Sequence, residues 1–557
     1  MQKPDQRRIA ALTSKGHWSD KTLCDYLRIQ AQQTPDNLAA ADQPTRQQLT
    51  ETDPIRLTFS QLNMASDALA VDLLSRGVGY QDRIMIQMPN VVDLMVCYYA
   101  ISKLGAIASP LPVQYGRHEI SMLAGELSPD WFIGTDHFKG QCLADNGQFA
   151  VSMNKVFAMG ADLGIRRIDR LNNVETDQLI AYREKHPISA NDTFTVCWTS
   201  GTTGTPKGVP RTHNMWLASG QMTALGSGYV SGDILLNPFP MVNMSALGGF
   251  LFPAATLGCA VVLHHPIDVP IFLEQIQTEQ VTFTIAPPAL LNKLSKEPAL
   301  WGAFDFPELR SIGSGSAPLS PEMIATFEQD YGVDIINIYG SNEGIALISS
   351  RDTIADPKLR AGLFPRSGGT HSPWRGELHD RVQSKVIDVD TGQELLAPES
   401  RGELYFSGAT VFDGYLHSDR SDVFTDDGFF RTGDLVDICG DNGEFYRIAG
   451  RLKDIINRGG MKISPSELDT LLEGHDALSE AAVCAYPDET LGEKICVCIV
   501  PRSLDDPPSL DDICAYLTAC GIAKFKLPER LQCVDALPRN PLGKVLRHEL
   551  SDTVAPK

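Results

Sequence analysis

Residues 199–208 contain glycines, hydroxyl side chains and a single lysine, with no acidic residue among them. The apolar run before them, residues 194–198, predicts a buried strand, so the ten residues form the loop that leaves it. Glycine lets the backbone turn its N–H groups inward, and Lys207 adds a point charge, so the loop has the chemistry to bind a phosphate chain. It is not a Walker A loop, because Pro206 precedes the lysine and Gly208 follows it. A solvated turn is the alternative interpretation.

Two further stretches carry reactive groups of complementary chemistry. Tyr339 and Glu343 follow the apolar residues 333–336 and offer an aromatic face for a flat base and a carboxylate for Mg²⁺. Lys544 follows a turn with proline and glycine, so its stem projects from a loop and its ammonium can approach a reacting group. Taken alone, Tyr339 is typical of a core aromatic and Lys544 of a solvated lysine.

The elements that must position these side chains alternate between helix and strand. The spacing of apolar residues predicts helices over 23–32, 58–76 and 91–104, and a strand over 83–88. Elements that alternate in this way indicate parallel sheets covered by helices.

The chain is long enough for at least two domains, because 557 residues exceed one ordinary core. After a turn-rich stretch at 441–444, a charged connector leads into helical runs at 466–474 and 510–520 and apolar strands near 481–486 and 495–500. A small mixed α/β unit therefore ends the chain. The predicted parts are a polar N-terminal tail (1–20), a large domain (21–451), the connector (452–454) and a small domain (455–557).

Composition limits the partners and the setting of the chain. The formal net charge of −21 argues against a nucleic-acid or anionic-membrane surface, so positive charge must be concentrated at a site. Twelve cysteines lack zinc-ligand spacing, although Cys496 and Cys498 lie on one face of a predicted strand. Free thiols in a reducing compartment are expected. With no apolar run of about 18 residues and no apolar leader, we predict a cytoplasmic protein without a membrane span.

Five motifs in a fixed order carry a resemblance to a known family. Residues 199–208 resemble the signature of the adenylate-forming superfamily, which includes acyl- and aryl-CoA synthetases, luciferases and peptide-synthetase adenylation domains. The resemblance continues through motifs at 338–344, 431–434, 451–463 and 537–547. It implies an α/β fold: a large domain of helix-covered, mostly parallel sheets that binds ATP and the acyl group, and a small mobile α+β C-terminal domain.

The resemblance also implies roles for individual residues. Lys207 would contact the β- and γ-phosphates, Glu343 would bind Mg²⁺, and Lys544 would act in the transition state. Asn342 stands where the family usually has threonine, which changes the reach of that side chain. The implied ATP and AMP contacts are Thr199, Ser200, Gly201, Thr202, Thr203, Gly204, Lys207, Tyr339, Gly340, Ser341, Asn342, Asp434 and Arg451.

Three residues are implied in the change between half-reactions. Lys453 occupies the hinge position of the family, within the connector at 452–454. Gly459 and Gly460 allow the close backbone approach that a narrow CoA channel needs. His213, just past the phosphate loop, is expected to cap or pack, with catalysis as the alternative.

The expected acyl pocket is apolar and contains several glycines. Its lining segments carry no Asp or Arg to bind an ammonium or a second carboxylate, so we predict a hydrophobic acid, fatty or aromatic. Asn243 stands where relatives often have an aromatic residue or histidine, which indicates an altered pocket or a one-residue shift in the match. The implied lining is Asn243, Met244, Gly248, Gly313, Gly315 and Ile338.

The implied reaction has two halves and needs ATP, Mg²⁺ and CoA. A carboxylate attacks the α-phosphate of ATP to give acyl-AMP and pyrophosphate, and a thiol then attacks the acyl-AMP. An acyl-CoA synthetase is the first hypothesis, and a stand-alone ligase that loads a separate carrier protein is the second. The third is an inactive nucleotide- or acyl-binding scaffold. Such a scaffold would be expected to have lost key residues, but Lys207, Glu343 and Lys544 are all present, which disfavours it.

Overall fold

The structure is a computed structural model and describes residues 4–160, 173–199, 206–315, 319–368, 372–459, 461–488, 490–539 and 545–554. Its strands, in chain order, are β1 Leu38–Ala41, β2 Arg56–Thr58, β3 Arg83–Gln87, β4 Ile107–Pro110, β5 Trp131–Thr135, β6 Val156–Met159, β7 Thr193–Trp198, β8 Gly208–Thr212, β9 Ile234–Asn237, β10 Ala260–Leu263, β11 Phe283–Ile285, β12 Ser311–Gly315, β13 Asp334–Gly340, β14 Ala346–Ser349, β15 Leu363–Pro365, β16 Val382–Ile387, β17 Glu394–Leu395, β18 Arg401–Gly408, β19 Phe430–Cys439, β20 Phe445–Arg451, β21 Ile456–Arg458, β22 Met461–Ile463, β23 Leu478–Asp488, β24 Gly492–Pro501 and β25 Arg530–Cys533.

The helices predicted over 23–32, 58–76, 91–104, 466–474 and 510–520 are all present, and their ends lie within about two residues of those predicted. In chain order they are α1 Gln6–Ser14, α2 Leu23–Gln33, α3 Arg46–Thr50, α4 Phe59–Ser75, α5 Val92–Leu104, α6 Arg117–Leu127, α7 Asn173–Lys185, α8 His213–Ser227, α9 Met244–Ala246, α10 Phe252–Leu257, α11 Val269–Thr278, α12 Pro288–Lys296, α13 Pro298–Trp301, α14 Pro321–Gln329, α15 Pro357–Arg360, α16 Glu377–Asp380, α17 Pro465–Leu472, α18 Leu510–Ala519 and α19 Arg547–Val554.

Two mainly parallel sheets form the centre of the large domain. The first has the order β14-β13-β12-β11-β9-β10-β1-β2 and the second β6-β5-β3-β4-β7-β8, with antiparallel pairing only at β1–β2, β13–β14 and β7–β8 among the described residues. Ile84 and Ile86 of β3 join the core between the sheets, while Met85 joins the core on the opposite face of the second sheet. Helices cover both faces, as the alternation predicts.

A third sheet, β15-β20-β19-β18-β16-β17, is entirely antiparallel and was not distinguished from the rest of the large domain by the sequence pattern. The small domain has a fourth sheet, β22-β21-β24-β23, with β25 parallel to β24. Its two faces alternate: Val483 and Val497 join one apolar core, and Cys484 and Cys496 join another.

The N-terminal residues, expected to be a polar tail, form a helix that packs on the segment following β18. The Asp5 side chain caps α1 by accepting from the backbone N–H of Arg7 at 2.7 Å. Arg8 pairs with Asp413, and the Trp18 indole donates to the carbonyl of Ala409 at 3.0 Å. A polar composition therefore hid a helix and a following tryptophan that bind acceptors distant in sequence.

Candidate active site

The phosphate-loop segment begins and ends at one point of the second sheet. β7 and β8 pair as an antiparallel hairpin, and Thr199 N–H donates to the carbonyl of Lys207 at 3.0 Å. Lys207 N–H in turn donates to Thr199 Oγ1 at 3.2 Å. The hairpin thus brings Thr199 beside the exposed Lys207. The predicted contacts Ser200, Gly201, Thr202, Thr203 and Gly204 lie outside the described residues.

Lys207 and Glu343 both contact one aromatic ring, that of Tyr415, which the sequence analysis did not single out. The ammonium of Lys207 lies 4.8 Å from the ring centre of Tyr415, and the hydroxyl of Tyr415 donates to Glu343 Oε1 at 2.7 Å. Burial and the charge of Glu343 raise the pKa of Tyr415 strongly, so it remains a protonated donor. One ring therefore positions both the cation and the carboxylate.

A second cluster joins β13 to the third sheet. Asp434 and Arg451 face each other in the β19–β20 pair, with Arg451 Nε 2.8 Å from Asp434 Oδ1 and Asp434 only 1% exposed. Tyr339 lies close to both groups, and burial together with the Asp434 charge raises its pKa well above the usual value. Three predicted nucleotide contacts are therefore neighbours.

The two clusters act electrostatically as one site. Burial alone would lower the pKa of Arg451, but the carboxylate charges of Asp434 and Glu343 outweigh it and raise that pKa. Arg451 is therefore a permanent cation that both carboxylates stabilise. Positive and negative groups thus alternate around a region where the strands β7 and β13 both end, the edge at which α/β sheets bind ligands.

Asn342, where the family usually has threonine, connects three segments. Its Oδ1 accepts from Met244 N–H at 2.9 Å, and its Nδ2 donates to the carbonyl of Trp198 at 3.1 Å. The neighbouring Ser341 N–H donates to the carbonyl of Ile345 at 3.2 Å and closes the turn after Gly340. The longer amide side chain thereby ties the end of β7 to the predicted acyl pocket.

Arg211 is a buried cation that sequence reasoning missed. It is 0% exposed, and it donates to the carbonyls of Asn342 at 2.8 Å and Thr410 at 2.8 Å, and to Ser219 Oγ at 2.7 Å. Its guanidinium lies 4.4 Å from the ring centre of Trp216, and burial lowers the pKa of Arg211 to about 9. It holds the turn that carries Glu343. Its position four residues after Lys207, in a strand, was the only signal in the sequence.

Asn243 begins an irregular helical segment beside Asn342. Its side chain accepts from Ser245 N–H at 3.1 Å and caps α9, which continues into a π-helical turn at Leu247–Leu251. The loop before it is held by the buried Asn90, which accepts from Met241 N–H at 3.0 Å. An apolar segment of non-standard helix geometry thus follows Asn243, for which the sequence left open an altered pocket or a one-residue shift in the match.

The glycines predicted to line the acyl pocket differ in what surrounds them. A Cβ added at Gly313 would lie 3.0 Å from Ile338, and one at Gly315 would lie 1.9 Å from the Ile338 carbonyl, so close packing already fills that space. A Cβ at Gly248 would meet Met244 Sδ at 2.7 Å. Buried Gly249, in contrast, has nothing within 4 Å of such a Cβ, so open space adjoins it inside the protein.

The residues implied in the domain change are only partly described. Lys453 lies in a 3-10 turn, Leu452–Asp454, directly after Arg451. Gly459 has φ +56° and donates to the carbonyl of Leu491 at 2.8 Å. Gly460 and the predicted catalytic Lys544 lie outside the described residues.

His213 has the packing role that was expected. It is buried at the start of α8, stacks on Phe194 with ring centres 4.7 Å apart, and its Nδ1 accepts from Leu23 N–H at 3.4 Å. Burial lowers the pKa of His213 to about 4, which keeps it neutral.

The family is shown by comparison with known sequences and structures. Residues 27–416 match the model of the AMP-binding enzyme family, and residues 467–544 match that of the AMP-binding enzyme C-terminal domain. The chain belongs to the AMP-binding enzyme family, which confirms the resemblance to adenylate-forming enzymes and their fold.

Relatives with established names cover nearly the whole chain. The medium-chain fatty-acid–CoA ligase of Escherichia coli (strain K12) is 28% identical over 97% of this chain and 92% of its own length. Enterobactin synthase component E of the same organism is 27% identical over 97% and 96%. The structure of o-succinylbenzoate CoA synthetase from Bacillus subtilis with an acyl-adenylate superposes with a TM-score of 0.77 at 23% identity, over 96% of this chain and 99% of that one. The predicted class, an AMP-forming ligase, is confirmed.

Two global expectations were also checked on the structure. Among the described helices, none is both long and apolar enough to cross a bilayer. All twelve cysteines lie in described residues, and each is a free thiol.

Proposed function

We propose that this enzyme converts a hydrophobic carboxylic acid and ATP to an acyl-adenylate and then to the CoA thioester, with release of pyrophosphate and AMP. The observation that carries the proposal is the joined cluster of Lys207, Tyr415, Glu343, Asp434 and Arg451 at the ends of β7 and β13. It places cations and a carboxylate around one region, as binding of a nucleotide polyphosphate requires.

Each side chain has a task that its contacts support. Lys207 would pair with the β- and γ-phosphates, and the exposed position of its ammonium leaves it accessible to them. Asp434 would accept hydrogen bonds from the ribose hydroxyls while Arg451 holds its carboxylate in place. Tyr339 would offer its ring to the adenine.

Glu343 fits a Mg²⁺ ligand. It is only partly buried, its carboxylate is a hard oxygen donor, and the Tyr415 hydroxyl orients one of its oxygens. When bound there, Mg²⁺ would supply neutralisation of phosphate charge.

In the first half-reaction, a carboxylate oxygen of the acid attacks the α-phosphorus, and the bond from that phosphorus to the bridging oxygen breaks as pyrophosphate leaves. Lys544 would stabilise the charge that develops on the α-phosphate. In the second half, the CoA thiolate attacks the acyl carbon, and AMP leaves. A turn of the small domain about Lys453 between the halves would withdraw Lys544 and open the channel past Gly459 and Gly460.

The acyl side supports a hydrophobic substrate. Open space adjoins buried Gly249. The carbonyl of Gly249 accepts a hydrogen bond from the Tyr229 hydroxyl at 3.2 Å, and the Tyr229 ring packs 4.7 Å from that of Phe283. Apolar and aromatic neighbours favour a fatty or aryl acid over an amino acid. The remaining proposed lining is Asn243, Met244, Gly248, Gly313, Gly315 and Ile338, of which Gly313 and Gly315 have no free space beside them.

A second acceptor is supported by the comparisons. Because relatives include a component of a synthase as well as a CoA ligase, a separate carrier protein is the alternative thiol donor. We also propose a cytoplasmic location, which twelve free thiols support.

The test is a pyrophosphate-release screen over fatty, aryl and amino acids, each with and without CoA. We expect release with one class of hydrophobic acid and continued AMP formation only when CoA is present. Release with no effect of CoA would favour the carrier-linked alternative, and release confined to amino acids would contradict the proposed substrate class.

A further inference from the structure

Three cysteines of the small domain lie together on the face of the fourth sheet that α19 covers. Cys484 and Cys496 are directly opposite each other across β23 and β24, and Cys498 is the next residue on the same face of β24. All three are at most 1% exposed, and their sulfur atoms lie within 4.8 Å of one another. The sequence showed the pair at 496 and 498, but only the strand register brings in Cys484.

Residues of α19 cover this thiol cluster. Leu550 and Val554 of α19 pack in the same apolar core as the cysteines, and Ser551 lies close to Cys484. Arg547, the first residue of α19, donates to the Val483 carbonyl at 2.7 Å and pairs with Asp469. A cation therefore lies beside the sulfurs and partly offsets negative charge formed there.

The number and type of these ligands select among metals. Among the described residues, no histidine or carboxylate joins the three sulfurs at ligand spacing. Structural zinc sites and cubane iron–sulfur clusters use four protein ligands, whereas soft thiolates in a smaller set favour Cu(I). We propose that Cys484, Cys496 and Cys498 form a site for one Cu(I) ion. The inference is independent of the proposed function.

Binding requires no redox change. The ion enters as Cu(I), each sulfur that ligates it releases its proton to solvent, and no electron is transferred. Access requires separation of α19, an eight-residue helix with only Leu550 and Val554 buried. Occupied sulfurs would hold β23, β24 and α19 together, so bound Cu(I) should raise the Tm of the chain.

The test uses the full chain, reduced and free of oxygen, titrated with Cu(I) in competition with bathocuproine disulfonate. We expect one Cu(I) per chain to be retained by the wild type and by a control with the exposed Cys520→Ser and Cys533→Ser. In Cys484→Ser or Cys496→Ser, the affinity for Cu(I) should fall by about 100-fold or more. That is at least as large as the loss expected when a group that only hydrogen-bonds to a metal ligand is removed. Complete loss of copper from the wild type to the chelator, or equal retention by Cys484→Ser, would overturn the proposal.

A second measurement does not depend on whether the serine variants fold. X-ray absorption at the copper edge of the loaded wild type should show three sulfur neighbours and no nitrogen or oxygen. Two or fewer sulfurs, or a wild type that retains Zn²⁺ but not Cu(I), would contradict a three-thiolate copper site.

Discussion

The proposed nucleotide side and the proposed acyl side of this enzyme are built on opposite principles. On the nucleotide side, charged and aromatic groups touch: Lys207 lies on the ring of Tyr415, which binds Glu343. On the acyl side, the site is defined by where side chains are missing: space is open beside Gly249 but closed beside Gly315. Chemistry is thus fixed by a few contacts between motifs, whereas specificity depends on packing among residues far apart in the chain.

This difference explains what the sequence could predict. Lys207, Glu343, Asp434 and Arg451 carry their own chemistry, so their types and order are enough to predict a nucleotide site. Tyr415 carries no such signal in the sequence, because its contact with Glu343 forms only when distant segments fold together.

The fold shows the same division. The alternation of helix and strand predicted the parallel sheets, because each element has its own hydrophobic period. The antiparallel third sheet depends on pairing between distant strands, and the packed N-terminal segment depends on its contacts with Asp413 and Ala409, none of which a local pattern shows. Likewise, glycine content suggested room at Gly313 and Gly315, but in the folded chain Ile338 fills it.

Among variants that compare the two sides, the largest effect should come from the nucleotide side. Glu343→Gln removes the proposed metal-binding charge and should lower kcat for adenylate formation about 100-fold. Tyr415→Phe keeps Glu343 but removes its orienting donor, and should cost about 10-fold. Steady-state pyrophosphate release at several Mg²⁺ concentrations measures both, and added Mg²⁺ should rescue Tyr415→Phe more than Glu343→Gln. Equal loss in both, with no response to Mg²⁺, would contradict the assignment.

A smaller effect is expected at the ribose end of the same side. Asp434→Asn leaves Arg451 without its charged partner and weakens the proposed contact with the nucleotide, so KM for ATP should rise about 10-fold or more while kcat changes less. Asp437→Asn, on the same strand but paired with Arg401 at the surface, is the matched control. If the control raises KM for ATP as much as Asp434→Asn, the nucleotide is not bound at this position.

The acyl side should respond in substrate range and not in ATP use. Gly249→Leu would fill the open space and should reduce kcat/KM for the bulkiest accepted acid about 10-fold, with KM for ATP unchanged. Competition between short and long acids in one reaction measures the shift.

Gly315→Ala and Gly249→Ala test the same difference through stability. The Cβ of Gly315→Ala would clash with the Ile338 carbonyl, so Tm should fall, whereas Gly249→Ala should leave Tm unchanged. A fall in Tm for Gly249→Ala would show that the space is not open.

The smallest effect is on the stability of the fold at His213, which belongs neither to the proposed nucleotide site nor to the proposed acyl site. The folded pKa of His213 is about 4, below the value of about 6.5 in the unfolded chain, so its contribution is present above pH 6.5 and is lost as pH falls toward 4. His213→Gln should therefore flatten the decline of Tm between pH 7 and pH 5, by an amount equivalent to about 1–3 kcal/mol in the wild type. Replacing the exposed His118 with Gln should leave the decline as steep as before.

The central claim is that one site performs two half-reactions and that Lys544 serves only the first. The most direct measurement compares Lys544→Ala with wild type in two separate assays. One supplies ATP and acid and measures pyrophosphate release, and the other supplies a synthetic acyl-adenylate and CoA and measures thioester formation. Lys524→Ala is the control in both. We predict that pyrophosphate release falls about 1000-fold while thioester formation from the adenylate stays within a few-fold of wild type. Equal loss of both halves, or no loss of either, would contradict this mechanism.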